Sequence, residues 1–203
     1  MKTHWMNIFI IVGLSAILNG CAGSVRYPTY YTLQIPPIVD PPQKAGGASV
    51  AIREFRSAPY LREGPIVYRS SPEQIGFYEY HRWAVDPREI VRNTIAERLR
   101  ADRRFAEVKS YDGHSDSDYV LSGRLEKLEE VDYEKGVRVE VALSAQMIEV
   151  RTGKTIWVNF ASDSGRVDQR TVPAVVAEMN HTMDRAIQKL LSSLSIPTAA
   201  TAN

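Results

Sequence analysis

Few side chains in this 203-residue sequence stand where chemistry could be done, and each candidate set has a plainer use beside it. His114, Asp116 and Asp118 alternate within a polar stretch at 112–118, and imidazole and carboxylate groups at that spacing could hold a divalent cation. Polar turns use the same residues to bond their own backbone, which is the preferred reading. Thr152-Gly153-Lys154-Thr155 has the ending of a phosphate-binding loop. The first glycine of such a loop would fall at Ile148, however, and a strand follows where a helix N-terminus is needed, so a nucleotide site is excluded. Glu126, Glu129, Glu130, Asp132 and Glu134 cluster near the end of a hairpin and read as a solvated edge that resists strand addition. Beyond His4, the histidines are far apart in sequence. No catalytic residues, metal ligands or cofactor motif survive, and the expectation is a protein that is not an enzyme.

One thiol remains, and its position organises the chain. Cys21 is the only cysteine, and it follows Lys2, His4 and an apolar run at 8–18 broken only by Gly13 and Ser15. As a helix that run would span roughly 16 Å, about half of a hydrocarbon core, so the segment has the anatomy of a removable secretory leader rather than a membrane anchor. Leu18-Asn19-Gly20-Cys21 resembles a bacterial lipobox. The resemblance implies a diacylglycerol on the Cys21 thiol, cleavage before it, and an acyl chain on the freed amine, the only non-protein groups expected. Two or three chains together anchor stably where one holds marginally. Ala22 stands where an aspartate would retain such a protein at the inner membrane, so the expected location is the outer membrane, facing the periplasm.

Removing residues 1–20 from the 203 leaves 183, enough for one domain with a core of its own. Lys2 leaves with them, so the 25 basic residues become 24 and balance the 24 acidic ones. A neutral chain lacks the basic face that displaces counterions from phosphates, which argues against nucleic acid as a partner. With Cys21 committed to lipid, no disulfide or thiolate chemistry remains, and stability must come from packing.

The elements follow from periodicity. Residues 21–47 carry Pro28, Pro36, Pro37, Pro41 and Pro42 and read as an extended, lipidated tether, with one short strand at 30–35 laid along a sheet edge. A single domain at 48–196 follows, then a disordered tail at 197–203. Strands are expected at 48–55, in a hairpin of 66–68 with 76–80, at 106–111, and in a three-stranded antiparallel meander of 119–133, 137–150 and 155–160. Asp86-Pro87-Arg88-Glu89 supplies a cap, a proline at the first helical position and a capping-box acid, so a helix runs from there to about 103. Its outer side carries Arg88, Arg92, Arg100, Arg103 and Arg104 against Glu89, Glu97 and Asp102, a mildly basic face read as solvated. A second helix at 172–194 has the clearest 3.6-residue period. The strand at 106–111 is expected to lie parallel to the one before the first helix. The fold class is α/β of the α+β type, a two-layer sandwich: a mixed, mostly antiparallel sheet of about five strands with two helices on one face.

Tyr30-Tyr31-Thr32-Leu33 after the lipobox, and Tyr78-Glu79-Tyr80-His81-Arg82-Trp83 leading through Pro87 into a helix, resemble the ABC-type transport auxiliary lipoproteins, the family of paraquat-inducible protein C. The likeness runs over about 30–194 and departs at Val85-Asp86, where members often carry an acidic residue and two prolines. It implies a non-enzymatic component of a phospholipid transport system between the inner and outer membranes. The implied partners are a periplasmic protein bearing MCE domains and an inner-membrane permease or related integral protein, with a ring of identical subunits as a further expectation. The rival reading is a lipoprotein that supports another envelope enzyme or outer-membrane assembly system. By strict alternation Tyr78, Tyr80 and Arg82 share one side of an extended segment, with Phe77, Glu79, His81 and Trp83 on the other. Tyr78, Tyr80, His81, Arg82 and Trp83 are therefore the candidate partner contacts, against the alternative that the run packs helix on sheet.

Overall fold

The computed structural model describes residues 26–37, 47–102, 104–113, 116–133 and 136–195. The leader, Cys21, much of the tether, His114, Glu134 and the tail at 197–203 lie outside the described residues. In chain order the elements are β1 (Thr29–Tyr31), β2 (Ser49–Ile52), β3 (Arg56–Ser57), a 3-10 turn (Pro59–Arg62), β4 (Pro65–Arg69), β5 (Ile75–Trp83), α1 (Pro87–Asp102), β6 (Glu107–Ser110), β7 (Tyr119–Val131), β8 (Arg138–Glu149), β9 (Thr155–Arg166) and α2 (Val172–Ser192).

The long meander β7-β8-β9 is the frame, and its period-two pattern dictates which face is buried. Val139, Val141, Leu143, Ala145 and Met147 of β8 point to one side and are all buried, where Met179, Met183, Ile187 and Leu190 of α2 belong to the same core. Each such side chain contributes about 1.5–3 kcal/mol on leaving water. α1 packs on β6 and β7, α2 on β8 and β9. The Arg98 guanidinium of α1 donates to the Asp184 carboxylate of α2, so both helices lie on the same face, as expected. Their starts follow the sequence signals. The Asp86 carboxylate accepts from the Arg88 backbone N–H at 2.9 Å, and the Thr171 hydroxyl accepts from Ala174 N–H at 3.4 Å. Among the described residues no helix is long and apolar enough to cross a membrane.

The sheet itself corrects two expectations. It has nine strands rather than about five, in the order β1-β5-β4-β7-β2-β6, with β3 also on β7 and β8 and β9 completing the meander. Most of the pairings are parallel: β1 with β5, β2 with β6, and β2, β3 and β4 each with β7. Only β4–β5, β7–β8 and β8–β9 are antiparallel, although the last two are the longest ladders. The physical reason lies along one edge of β7. β2 pairs with residues 119–121 of β7, β3 with 124–125 and β4 with 130–131, so three short strands are successive pieces of one run that follows β7 in the same direction. The run breaks where Phe55 turns into the core over Gly123. A Cβ on that glycine would stand 2.3 Å from the Phe55 ring, so only glycine leaves room.

A third expectation also fails. β6 pairs with β2, not with the strand before α1, so the chain crosses to the other end of the sheet before it continues. β9 runs on to Arg166, six residues past the expected end, because Ala161 and Asp163 still face α2: Ala161 packs in its core and Asp163 accepts from Arg185 at 2.5 Å.

Candidate functional site

The Tyr78–Trp83 run lies on β5, between the edge strand β1 and β4. Strict alternation does not hold along it. In the ladder with β4, Pro65 pairs with Arg82 but Val67 with Phe77, so three extra residues of β5 bulge out between these positions. An odd insertion inverts the alternation beyond it. Tyr78, His81 and Trp83 therefore turn to the helix side together, while Arg82 shares the opposite face with Phe77. Trp83 is only 9% exposed and belongs to the hydrophobic core. His81 accepts from or donates to the Tyr31 hydroxyl through Nδ1 at 3.0 Å, and its ring meets Tyr78 edge-on at a centroid distance of 5.7 Å. Tyr68 continues the series, 5.2 Å from Tyr78. This aromatic chain ties β1 through β5 to β4, and it fixes the corner from which the tether leaves. Of the five residues singled out in sequence, Arg82 and Tyr80 stand apart from this inward set. Arg82 donates to the Glu63 carbonyl, and the guanidinium of Arg26 lies over the Tyr80 ring at 6.0 Å.

The inner end of the chain is a carboxylate. The Tyr78 hydroxyl donates to Glu130 at 2.7 Å. Burial holds Glu130 above the usual carboxylate range, with the Tyr78 hydrogen bond working the other way, and burial together with Glu130 raises Tyr78. On the opposite face of the sheet Glu129 is fully buried, and Arg69 Nε donates to it at 2.7 Å. The expected solvated edge at 126–134 is thus overturned for its two central members. β7 lies inside the sheet, so its consecutive glutamates have one face each and both faces are covered there. Glu126 accepts from Arg124 and Ser144, and Asp132 pairs with Arg170 at 3.0 Å, so these too serve the framework.

The remaining candidates are also structural. Asp116 accepts from Lys109 Nζ at 2.5 Å, which lowers its pKa; Asp118 accepts from the backbone and hydroxyl of Ser49, which lowers its own. His114 lies outside the described residues. Among the described residues no group of three or more histidine, cysteine or acidic side chains is placed to hold a metal. Thr152 to Lys154 form the β8–β9 turn, with Gly153 at φ 69°, and no helix follows. Arginines of the mildly basic face are used within the fold: Arg100 of α1 donates to the Val108 carbonyl, and Arg104, just past α1, to that of Leu194, just past α2. At the start of α1, an open cleft of about 290 Å³ is lined by Glu54, Phe55, Asp86, Arg88, Glu89 and Arg92. Its charges are mutually offset, Arg88 holding Asp86 at 2.5 Å and lowering it against the effect of burial.

Surface apolar groups gather instead at the two edges of the sheet. On β9, Val158 and Phe160 are 68% and 60% exposed, paired with Gln146 and Ser144 on the face that no helix covers. Lys127, Glu140, Ser162 and Ser164 line a shallow depression together with Phe160. At the other edge, Tyr27 and Tyr30 are 81% and 61% exposed, and Phe77 is exposed on the neighbouring strand β5. Five strand spacings separate β1 from β9, about 24 Å.

A family model for the ABC-type transport auxiliary lipoprotein component matches residues 31–190. The chain belongs to this family. It is accordingly a lipoprotein of the cell envelope, held at a membrane, and an auxiliary component of a transporter. Two solved structures share the fold. Protein XCC0632 from Xanthomonas campestris aligns with a TM-score of 0.71 and 14% identity, covering 80% of this chain and 92% of that one. An uncharacterized protein aligns with a TM-score of 0.65 and 13% identity over 83% of this chain and 99% of that one. No curated protein matches the chain. Within the auxiliary lipoprotein family match fall the aromatic chain from Tyr31 to Glu130, all of α1 and all but the last two residues of α2, while Cys21 precedes it.

Proposed function

We propose that this auxiliary lipoprotein is a non-enzymatic adaptor of a phospholipid transport system. Acylated at Cys21 in the inner leaflet of the outer membrane, it docks a periplasmic MCE-domain protein and, through it, an inner-membrane permease or related integral protein. The observation that carries this reading is the family match over residues 31–190. The lipobox before it agrees with it. The docking face is assigned to Val158 and Phe160 of β9 rather than to the Tyr78–Trp83 run. Trp83, His81 and Tyr78 are engaged inside the fold, whereas Val158 and Phe160 are large apolar groups held outward on regular structure. Phenylalanine is among the residues enriched at protein interfaces, and exposed apolar patches mark interaction sites. Among the described residues β9 pairs with β8 alone, and we assign any ring of identical subunits to its free edge.

The test is affinity capture of the acylated protein from crosslinked envelopes, comparing wild type with Val158→Asp/Phe160→Asp. Wild type is expected to retain an MCE-domain protein, and the double variant to lose it while melting at the wild-type temperature. Capture that survives both substitutions refutes the docking face. Recovery of only unrelated envelope proteins refutes the transport role. A second, differently tagged copy in the eluate reports self-association.

A further inference from the structure

The edge formed by β1 and β5 carries exposed aromatic groups that the fold does not use. Tyr27, Tyr30 and Phe77 present their rings to solvent, and Arg26 sits over Tyr80. Their placement is set by topology. β1 runs parallel to β5, with Thr29 beside His81 and Tyr31 beside Trp83, so going back along the chain from Thr29 leads toward the Phe77 end of β5. Arg26 is five residues from Cys21. A fully extended chain of that length reaches about 18 Å at most. An acyl group on Cys21 therefore keeps Arg26, at the start of this edge, within that distance of the bilayer.

The chemistry of the edge suits that position. Tyrosine combines an apolar ring with a polar tip and is enriched where membrane meets water, and an arginine stem lies along apolar surface with its charge at the headgroups. Glu79 stands beside the Tyr80 hydroxyl, so the patch is not simply basic and an anionic surface is not required. We infer that the β1–β5 edge is a bilayer-contact surface: Tyr27, Tyr30, Phe77 and Tyr80 rest at the headgroup–acyl boundary with Arg26 on the headgroups, which sets the domain at a fixed tilt. The opposite edge, with Val158 and Phe160, is thereby turned toward the periplasm. This inference rests on the acylation of Cys21 in the reading above.

Because Cys21 is the only cysteine and its sulfur is blocked by acylation, a second cysteine can be labelled alone. The full acylated protein carrying Thr29→Cys or Val158→Cys is labelled with a fluorophore and reconstituted into phosphatidylethanolamine–phosphatidylglycerol vesicles containing lipids spin-labelled near the headgroup. Quenching at residue 29 is expected to be several-fold stronger than at residue 158 and to persist at high salt. Adding Tyr27→Ser and Tyr30→Ser should lower it several-fold, leaving only the part due to the tether. Equal quenching at 29 and 158 in acylated protein overturns the inference, as does quenching at 29 that ignores the tyrosine substitutions, which would reflect the tether alone. A crosslink from residue 29 to an envelope protein, without lipid quenching, reassigns the edge to a protein partner. A Cys21 peptide that carries no lipid by mass spectrometry removes the anchor and identifies that as the failed premise.

Discussion

Replacing Trp83 with alanine separates a packing role from a binding one, because only the first lowers stability. The indole is 9% exposed and sits in the core beside Tyr31. Burial of a tryptophan removes roughly 150–250 Å² from water, worth about 4–6 kcal/mol as an upper bound at about 25 cal/mol per Å². Large-to-small changes at aromatic core sites cost about 3–5 kcal/mol, and the two ranges meet near 4. For a domain of roughly 150–250 residues each kcal/mol moves the melting temperature by about 2–4 °C, so Trp83→Ala should melt about 8–16 °C below wild type. Phe160→Ala, at a site 60% exposed, should stay within about 0.5 kcal/mol. Thermal unfolding followed by far-ultraviolet circular dichroism reads both. A Trp83→Ala protein that melts within about 2 °C of wild type would refute the burial argument and return this side chain to the surface.

Two further sites probe charges inside the fold. Burial raises the Glu130 pKa in the folded protein, so the stability linked to this group is fully present below the unfolded carboxylate pKa and is lost as pH rises through the folded value. Glu130→Gln should therefore gain on wild type as pH climbs from acid toward neutral in urea unfolding, and parallel curves for the two proteins would contradict the assignment. Arg98 is 5% exposed, with Nε and Nη1 lacking partners and Asp184 as its counter-charge. Asp184→Ala should cost about 3 kcal/mol by leaving that cation buried and uncompensated, and Arg98→Met combined with Asp184→Leu should recover most of it; equal loss in single and double variants would argue against the pair.

Much of the scaffold was legible because its signals are local. The apolar period of α2, the Asp86-Pro87 start of α1 and the alternation along β8 each depend on residues within a turn or two of one another, and the elements lie within a few residues of where those signals place them. The parallel edge of β7 was not legible. β2, β3 and β4 are four, two and five residues long, too short for a period to show, and only the accommodation of Phe55 over Gly123 tells that they follow a single partner. The two buried glutamates were misread for a related reason. Glu129 and Glu130 are adjacent, and what permits their burial is Arg69 and Tyr78, 60 and 52 residues earlier in the chain.

The Tyr78–Trp83 run shows where reading faces from a pattern breaks down. Assigning sides by alternation needs an unbroken ladder, and one odd insertion exchanges every residue beyond it. A signal for that insertion does exist, on the other strand: Pro65 opposes Arg82 next to the register shift, and proline cannot donate to a ladder, so a strand that carries one invites a bulge in its neighbour. Once the bulge is placed, Trp83 and His81 move inward with Tyr78, and their conspicuous residue types are explained by a corner that must hold β1 against the pull of the tether. The outward surfaces are then the less conspicuous ones, Tyr27 and Tyr30 on one edge and Val158 and Phe160 on the other. In the arrangement proposed above, a domain anchored next to β1 carries β9 away from the membrane, since β1 and β9 lie five strand spacings apart across the same sheet.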